Sequence, residues 1–309
     1  MAHVKKQIIF IFPLVTFLSC CNFGCGKNES GTQPAASSKF GGNVPSIHKK
    51  TLADEEIERN NKLLETTPND SKIHYNLGAL YEEKGQLDEA IAAYKKASEL
   101  NPAMIEALVG QGNVLNKKGK SDEAISIFRK ALEIDPHYAE AFEGLGLVYI
   151  HKGKADDAAK SFQEAIDLNP GLVNSRYNLG ILYAKKNQFE EALVEWAKAV
   201  EINPQKTEIY YNMGIAYTKL EKIDDAISVW QKSLKVRPDM ANFHYVIGLA
   251  YNQKGDLDNA EASLKKALEV DPDFVDSHKV LAEIYRSKGM LGDADREEEI
   301  YKSRGSPHH

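Results

Sequence analysis

Seven prolines in this 309-residue chain recur at one constant spacing. The chain has 11 prolines in all, so most of them follow this single period of 34. They are Pro68, Pro102, Pro136, Pro170, Pro204, Pro238 and Pro272. A repeat of this length is one supersecondary unit that cannot bury its apolar surface alone, so neighbouring units must stack. The period therefore predicts one continuous array of stacked repeats.

Each repeat unit shows two helical patterns separated by a turn. Turns such as Lys84-Gly85-Gln86 place a glycine just after the first helix, where a positive φ is favoured. Acidic pairs such as Asp122-Glu123 then open the second helix, where the helix dipole favours negative charge. Small residues recur where the paired helices approach each other, at Gly78, Gly112, Gly146, Gly180, Gly214 and Gly248 and at Ala90, Ala124, Ala158, Ala192, Ala226, Ala260 and Ala294.

These residues together resemble the tetratricopeptide repeat (TPR). The resemblance implies an all-α superhelical solenoid of antiparallel helix pairs over residues 71–304, followed by a short tail over 305–309. Residues 47–70 are predicted to hold an N-terminal capping helix, because 51–65 keep the register of a second helix without a first helix before it. Six full repeats and a seventh, capping pair are expected to begin at Ser71, Ile105, Ala139, Val173, Thr207, Ala241 and Val275.

The N-terminus has the order of an export signal. Lys5 and Lys6 precede an apolar run of about 13 residues, too short for a spanning helix of about 20. The run ends at Leu18-Ser19-Cys20, which resembles a bacterial lipobox, so residues 1–19 are predicted to be a lipoprotein signal peptide and Cys20 the lipid-attachment site. Cys21 as the lipidated residue, an ordinary cleaved signal and an uncleaved anchor are the alternatives. Residues 20–46 are rich in glycine, serine and asparagine and are predicted to be a flexible tether.

In TPR proteins the first helices line a concave groove, and positions 5, 6 and 13 of each repeat point into it. Tyrosine is a rigid amphipathic contact residue, an asparagine row can pair with a peptide backbone, and lysines can meet carboxylates. The resemblance thus implies a protein-binding groove formed by Tyr75, Asn76, Tyr177, Asn178, Tyr211, Asn212, Tyr245, Lys185 and Lys219. The alternative is that these residues are consensus packing and that the lysines only complement helix dipoles.

The asparagine row is interrupted at Gly110 and Gly144, which either admit a bulky ligand or reflect relaxed selection. One specialised groove is excluded by resemblance. The carboxylate clamp for chaperone tails needs Lys and Asn where the first repeat has Tyr75 and Ala79.

Composition and motifs favour binding over catalysis. A net charge of −6 argues against a nucleic-acid partner. The three cysteines, Cys20, Cys21 and Cys25, all lie near the N-terminus, which leaves no thiolate zinc site elsewhere. No catalytic motif is present, so no cofactor, no metal and no enzymatic activity are expected.

The sequence predicts a lipid-anchored scaffold in the bacterial envelope, at the outer membrane facing the periplasm. In this prediction the scaffold binds protein partners and assists assembly of pilus or secretion machinery. The alternatives are an adaptor for surface polysaccharide or peptidoglycan enzymes and a periplasmic holdase.

Overall fold

The computed structural model describes residues 51–305. The signal peptide, the Cys20 lipidation site, the tether and the start of the predicted capping segment lie outside this range. Within it the chain forms only helices and turns, and none of these helices is long and apolar enough to cross a membrane. The helices are α1 (Leu52–Thr66), α2 (Ser71–Glu83), α3 (Leu87–Leu100), α4 (Ile105–Lys117), α5 (Ser121–Ile134), α6 (Ala139–His151), α7 (Ala155–Leu168), α8 (Val173–Lys185), α9 (Phe189–Ile202), α10 (Thr207–Lys219), α11 (Ile223–Val236), α12 (Ala241–Lys254), α13 (Leu257–Val270), α14 (Asp276–Ser287) and α15 (Leu291–Gly305).

The described helices divide into two compact units, an N-terminal unit over 51–170 and a C-terminal unit over 171–305. In the N-terminal unit, the pairs α2–α3, α4–α5 and α6–α7 pack within themselves and against the next pair, with α1 against α2. In the C-terminal unit, the pairs α8–α9, α10–α11, α12–α13 and α14–α15 stack in the same way. The all-α fold of paired helices that the period predicts is therefore confirmed.

The turn inside each repeat has a left-handed residue just after the first helix. Five of these positions are glycines, with φ between 70° and 78°, as the sequence predicts. The fourth and fifth repeats depart from this rule, because Asn187 and Glu221 each adopt a φ of 60°. Asparagine tolerates this region, whereas glutamate is strained there. The turn between α10 and α11 therefore has an unfavourable residue at its most restricted position.

The large residue on each second helix packs against glycines of the first helices. Tyr94 lies so close to Gly78 and Gly110 that a Cβ on either would come within 2.6–2.7 Å of its ring. Phe128 is held in the same way, with its ring carbons 2.8 Å from the Cβ position of Gly112 and 2.3 Å from that of Gly144. The space beside Gly110 and Gly144 is thus filled by rings of the preceding repeat, which accounts for these two glycines by packing.

Successive repeats are also joined by ion pairs at a fixed separation in sequence. In each of these pairs, a lysine at the end of a first helix bonds an aspartate near the start of the preceding second helix. The pairs are Lys84–Asp54, Lys118–Asp88 and Lys152–Asp122 in the N-terminal unit, and Lys254–Asp224 and Lys288–Asp258 in the C-terminal unit. Because Asp54 belongs to α1, this helix occupies the place of a second helix, as its register predicts. Leu220 stands where α10 would supply the lysine.

Candidate protein-binding surface

The predicted groove residues lie on the first helices of both units. In the N-terminal unit, Tyr75 is half-buried on α2, and its ring centroid lies 5.6 Å from that of Tyr94. Asn76 is exposed, and its side chain lines a cleft of about 410 Å³ between α1 and α2. Glu56, Arg59, Asn60 and Leu63 of α1 form the other wall of this cleft. Of this pair, Asn76 is the accessible residue.

In the C-terminal unit, Tyr177 of α8 and Asn212 of α10 are buried, with exposed fractions of 3% and 0%. The Asn212 side-chain amide donates a hydrogen bond of 3.1 Å to the Tyr177 hydroxyl oxygen. The Tyr177 carbonyl in turn accepts a 3.0 Å hydrogen bond from the indole N–H of Trp196. These two residues therefore join successive repeats to each other. Whether they also contact a ligand stays a prediction.

Tyr211 and Tyr245 lie on α10 and α12 of the same unit and are mostly buried, with part of each side chain exposed. The Tyr211 ring meets Phe243 edge-on at 5.9 Å, and the Tyr245 ring lies 5.1 Å from that of Phe274. Burial raises the pKa of Tyr245 to about 12, with smaller contributions from Asp276 and from Tyr211. Burial also raises the pKa of Tyr211. Both hydroxyls thus stay protonated at neutral pH, and each ring is fixed by an aromatic neighbour while part of it faces outward.

Asn178, the remaining asparagine of the predicted row, is half-exposed on α8. Its side-chain amide donates to the backbone carbonyl of Asn174, one turn earlier, over 2.9 Å. Such a bond is local and its carbonyl partner already belongs to a helix, so exchange of this bond for one to a ligand costs little.

Lys185 and Lys219, at position 13 of the fourth and fifth repeats, are exposed at the ends of α8 and α10. In the N-terminal unit, the residue at this position bonds position 12 of the preceding repeat. Lys117 lies 2.5 Å from Glu82, and the Nδ1 atom of His151 lies 2.8 Å from the side-chain oxygen of Asn116. The residue that corresponds to Glu82 for Lys219 is Ala184, which has no charge to offer.

Two polar pairs near this surface were not expected from the sequence. Arg176 of α8 forms a 2.6 Å ion pair with Glu195 of α9, and both side chains are largely buried. His278 and Glu297 repeat this contact in the last helix pair at 2.5 Å. Arginine and histidine stand here at position 4, where the family favours an aromatic residue. The signal in the sequence was the acid at the matching position of the second helix, Glu195 or Glu297, and a single acidic residue on a helix is weak evidence for a buried ion pair.

The described residues hold no group of three or more His, Cys, Asp or Glu side chains that could bind a metal ion. The side chains described above offer hydrogen bonding, aromatic contact and positive charge, which are elements of protein recognition.

The repeats, paired helices and glycine-packed rings define a helix-pair repeat protein. Family models described as tetratricopeptide repeat or TPR repeat match residues 71–104, 109–173, 161–194, 182–221, 211–273 and 253–307. Because these matches span most of the chain, it belongs to the tetratricopeptide repeat family. A search of the curated proteins finds no significant match.

Three solved structures illustrate the likeness. The C-terminal part of a TPR repeat-containing protein from Cytophaga hutchinsonii is 17% identical with a TM-score of 0.64, covering 74% of this chain and 95% of its own. The APC/C hetero-tetramer Cut9-Hcn1 is 22% identical with a TM-score of 0.57, covering 75% of this chain, which spans 46% of that structure's chain. YrrB, described as a TPR protein with an unusual peptide-binding site, is 29% identical with a TM-score of 0.45, covering 59% of this chain and 94% of its own. The Cytophaga hutchinsonii and Cut9-Hcn1 structures show the fold. Membership of the family supports a protein-binding scaffold.

Proposed function

We propose that this chain is a non-enzymatic scaffold that binds protein partners, or extended peptides from them, on the first helices of its C-terminal unit. The observation that carries the proposal is the position of Tyr211 and Tyr245, which present partly exposed side chains from two successive first helices. Each ring is held by an aromatic neighbour, so little conformational entropy is lost when a partner covers it. Asn178 adds a side chain that can exchange a local hydrogen bond for one to a peptide.

A location in the bacterial envelope is the second part of our proposal, and the N-terminal sequence supports it. Residues 1–19 direct export, Cys20 carries the lipid, and residues 20–46 tether the repeats to the outer membrane on its periplasmic side. A scaffold at that site would assist assembly of an envelope complex, such as pilus or secretion machinery. This narrower role rests on architecture and on the signal alone.

Affinity capture from membranes of cells that express tagged full-length chain tests the binding surface. The wild type is compared with a Tyr211→Ala/Tyr245→Ala variant and with Lys232→Ala, which changes an exposed residue of a second helix. We expect one or a few proteins to be recovered with the wild type and the Lys232 variant and to be lost with the tyrosine variant. Circular dichroism must show that all three are equally helical. Recovery of the same proteins with the tyrosine variant would refute this surface as the binding site.

Metabolic labelling with a radioactive fatty acid tests the anchor. The wild type should incorporate label and fractionate with membranes, and Cys20→Ala should do neither. Labelling that persists in Cys20→Ala and disappears in Cys21→Ala would move the attachment site by one residue.

A further inference from the structure

We infer that the partner segment bound by the C-terminal unit is an acidic peptide whose carboxylates are read by Lys185 and Lys219. This inference deepens the proposed function and rests on it. It starts from a difference between the two units at one repeat position, where the same residue type has different surroundings.

In the N-terminal unit, the groups at position 13 are occupied by neighbours within the fold. The Lys117 ammonium group lies 2.5 Å from the Glu82 carboxylate of the preceding repeat, and His151 contacts Asn116. The fold thus supplies a polar partner to Lys117 and His151 where position 12 of the preceding repeat is polar.

In the C-terminal unit, the lysines at this position have no such partner among the described residues. Within the described part of the chain, neither Lys185 nor Lys219 forms an ion pair or a side-chain hydrogen bond, although both are exposed. The nearest acids in sequence, Glu190 and Glu221, form no ion pair with either lysine. A lysine near the C-terminus of a helix complements the helix dipole, but this applies to Lys117 as much as to Lys185 and Lys219. The dipole therefore does not explain why Lys117 has an ion-pair partner and the other two lysines do not.

Each lysine lies on a first helix that also carries a residue of the proposed binding surface. Lys185 ends α8, which also holds Asn178, and Lys219 ends α10, which also holds Tyr211. The Asn212–Tyr177 hydrogen bond shows that α8 and α10 are in contact. A ligand that meets both lysines must therefore run from one repeat to the next, across the ends of these two helices.

The spacing of the repeats sets the spacing of the carboxylates. Packed helices lie about 8–10 Å apart. An extended peptide in the polyproline II conformation has about three residues per turn and advances about 3.1 Å per residue, so its residues i and i+3 face the same side about 9 Å apart. Two acidic side chains separated by about three positions in sequence therefore match two lysines on successive first helices. The chemistry that fits is Asp or Glu at i and i+3 of an extended segment that also carries apolar residues for the tyrosines.

Selection of random decapeptides displayed on phage against immobilised full-length chain tests this inference. Peptides enriched on the wild type should carry acidic pairs at i and i+3. The enrichment of acidic residues should vanish on Lys185→Gln/Lys219→Gln and remain on the matched control Lys117→Gln. The corresponding arginine variant, Lys185→Arg/Lys219→Arg, should retain it because the charge is kept.

Fluorescence anisotropy with the most enriched peptide then gives the size of the effect. Each Lys→Gln change should weaken binding about 2- to 5-fold and both together about 4- to 25-fold, the range for exposed ion pairs. Added salt should weaken the wild type more than the double variant, because screening acts on the charges that the variant lacks.

Two failures can be told apart. If no peptide is enriched on any variant, the proposed function itself fails for peptides. If the enriched peptides carry no acidic residues and bind Lys185→Gln/Lys219→Gln as well as the wild type, but not Tyr211→Ala, the binding surface stands and the inference about acidic peptides is overturned.

Discussion

Replacement of Gly144 by alanine tests whether this glycine exists for packing or to leave room for a ligand. In an exposed helix interior the change would stabilise the protein by about 1 kcal/mol, because alanine has the better helix propensity. At Gly144, however, the new Cβ would lie 2.3 Å from the ring carbons of Phe128, which is fully buried. Overpacking of a core costs about 1–3 kcal/mol, and a rigid ring at this distance belongs in the upper half of that range. Because the propensity gain offsets part of this cost, Gly144→Ala should lower the free energy of unfolding by about 1–2 kcal/mol.

The assay is urea unfolding followed by circular dichroism, with hydrogen exchange of α5 and α6 to locate the effect. Gly292→Ala is the matched control, since no atom lies within 4 Å of its Cβ position on α15, and it should be neutral or stabilising by up to about 1 kcal/mol. Combining Gly144→Ala with Phe128→Leu should cost less than the sum of the two single changes. If Gly144→Ala proves as stable as Gly292→Ala, the packing account is refuted and space for a ligand becomes the better explanation.

Three further changes follow from the described contacts. Glu221→Gly should raise the free energy of unfolding by about 0.5–1 kcal/mol in urea titration, because glutamate at a φ of 60° is strained, and Asn187→Gly should change it by less. Hydrogen bonds from Lys265, Lys288 and Tyr285 lower the pKa of Glu261 to about 2. The ionised Glu261 therefore stabilises the folded protein above its unfolded pKa, and this stabilisation is lost as the pH falls towards about 2. Glu261→Gln should reduce the fall in melting temperature between about pH 5 and pH 2, and an unchanged slope would contradict this. Arg176→Met should destabilise the protein by about 3 kcal/mol in urea titration, since it leaves the largely buried Glu195 without its nearest cation, and Arg176→Met/Glu195→Leu should recover most of that loss.

The sequence was sufficient for the fold because a regular period multiplies each weak signal. The glycine turns and the acidic starts of second helices follow from register. Helix α1 keeps the register of a second helix and forms the Lys84–Asp54 ion pair, of the kind that later second helices also form with the next repeat. The repeats that depart from this regular pattern could be recognised in the sequence only because consensus residues are missing. Glu221 and Leu220 could be read from the sequence, but the positive φ and the missing ion pair needed the structure.

The candidate site was less predictable, because a repeat position does not fix burial. Tyr177 and Tyr211 share position 5, yet the first is buried and the second partly exposed. Asn212 contacts Tyr177 from the next repeat, a pairing that depends on which residues happen to face each other across two helices. The contrast between Lys117 and Lys219 has the same origin, since position 12 of the preceding repeat is Glu82 for one and Ala184 for the other.

Photocrosslinking in living cells tests most directly whether the first helices of the C-terminal unit bind a partner. A photoreactive phenylalanine analogue replaces Lys219 on a first helix in one strain and Lys232 on a second helix in another, both exposed positions of the same repeat. We expect a discrete crosslinked protein from position 219, lost when Tyr211→Ala and Tyr245→Ala are added, and none from position 232. A discrete product from position 232 alone would place the partner on the second helices and contradict the account.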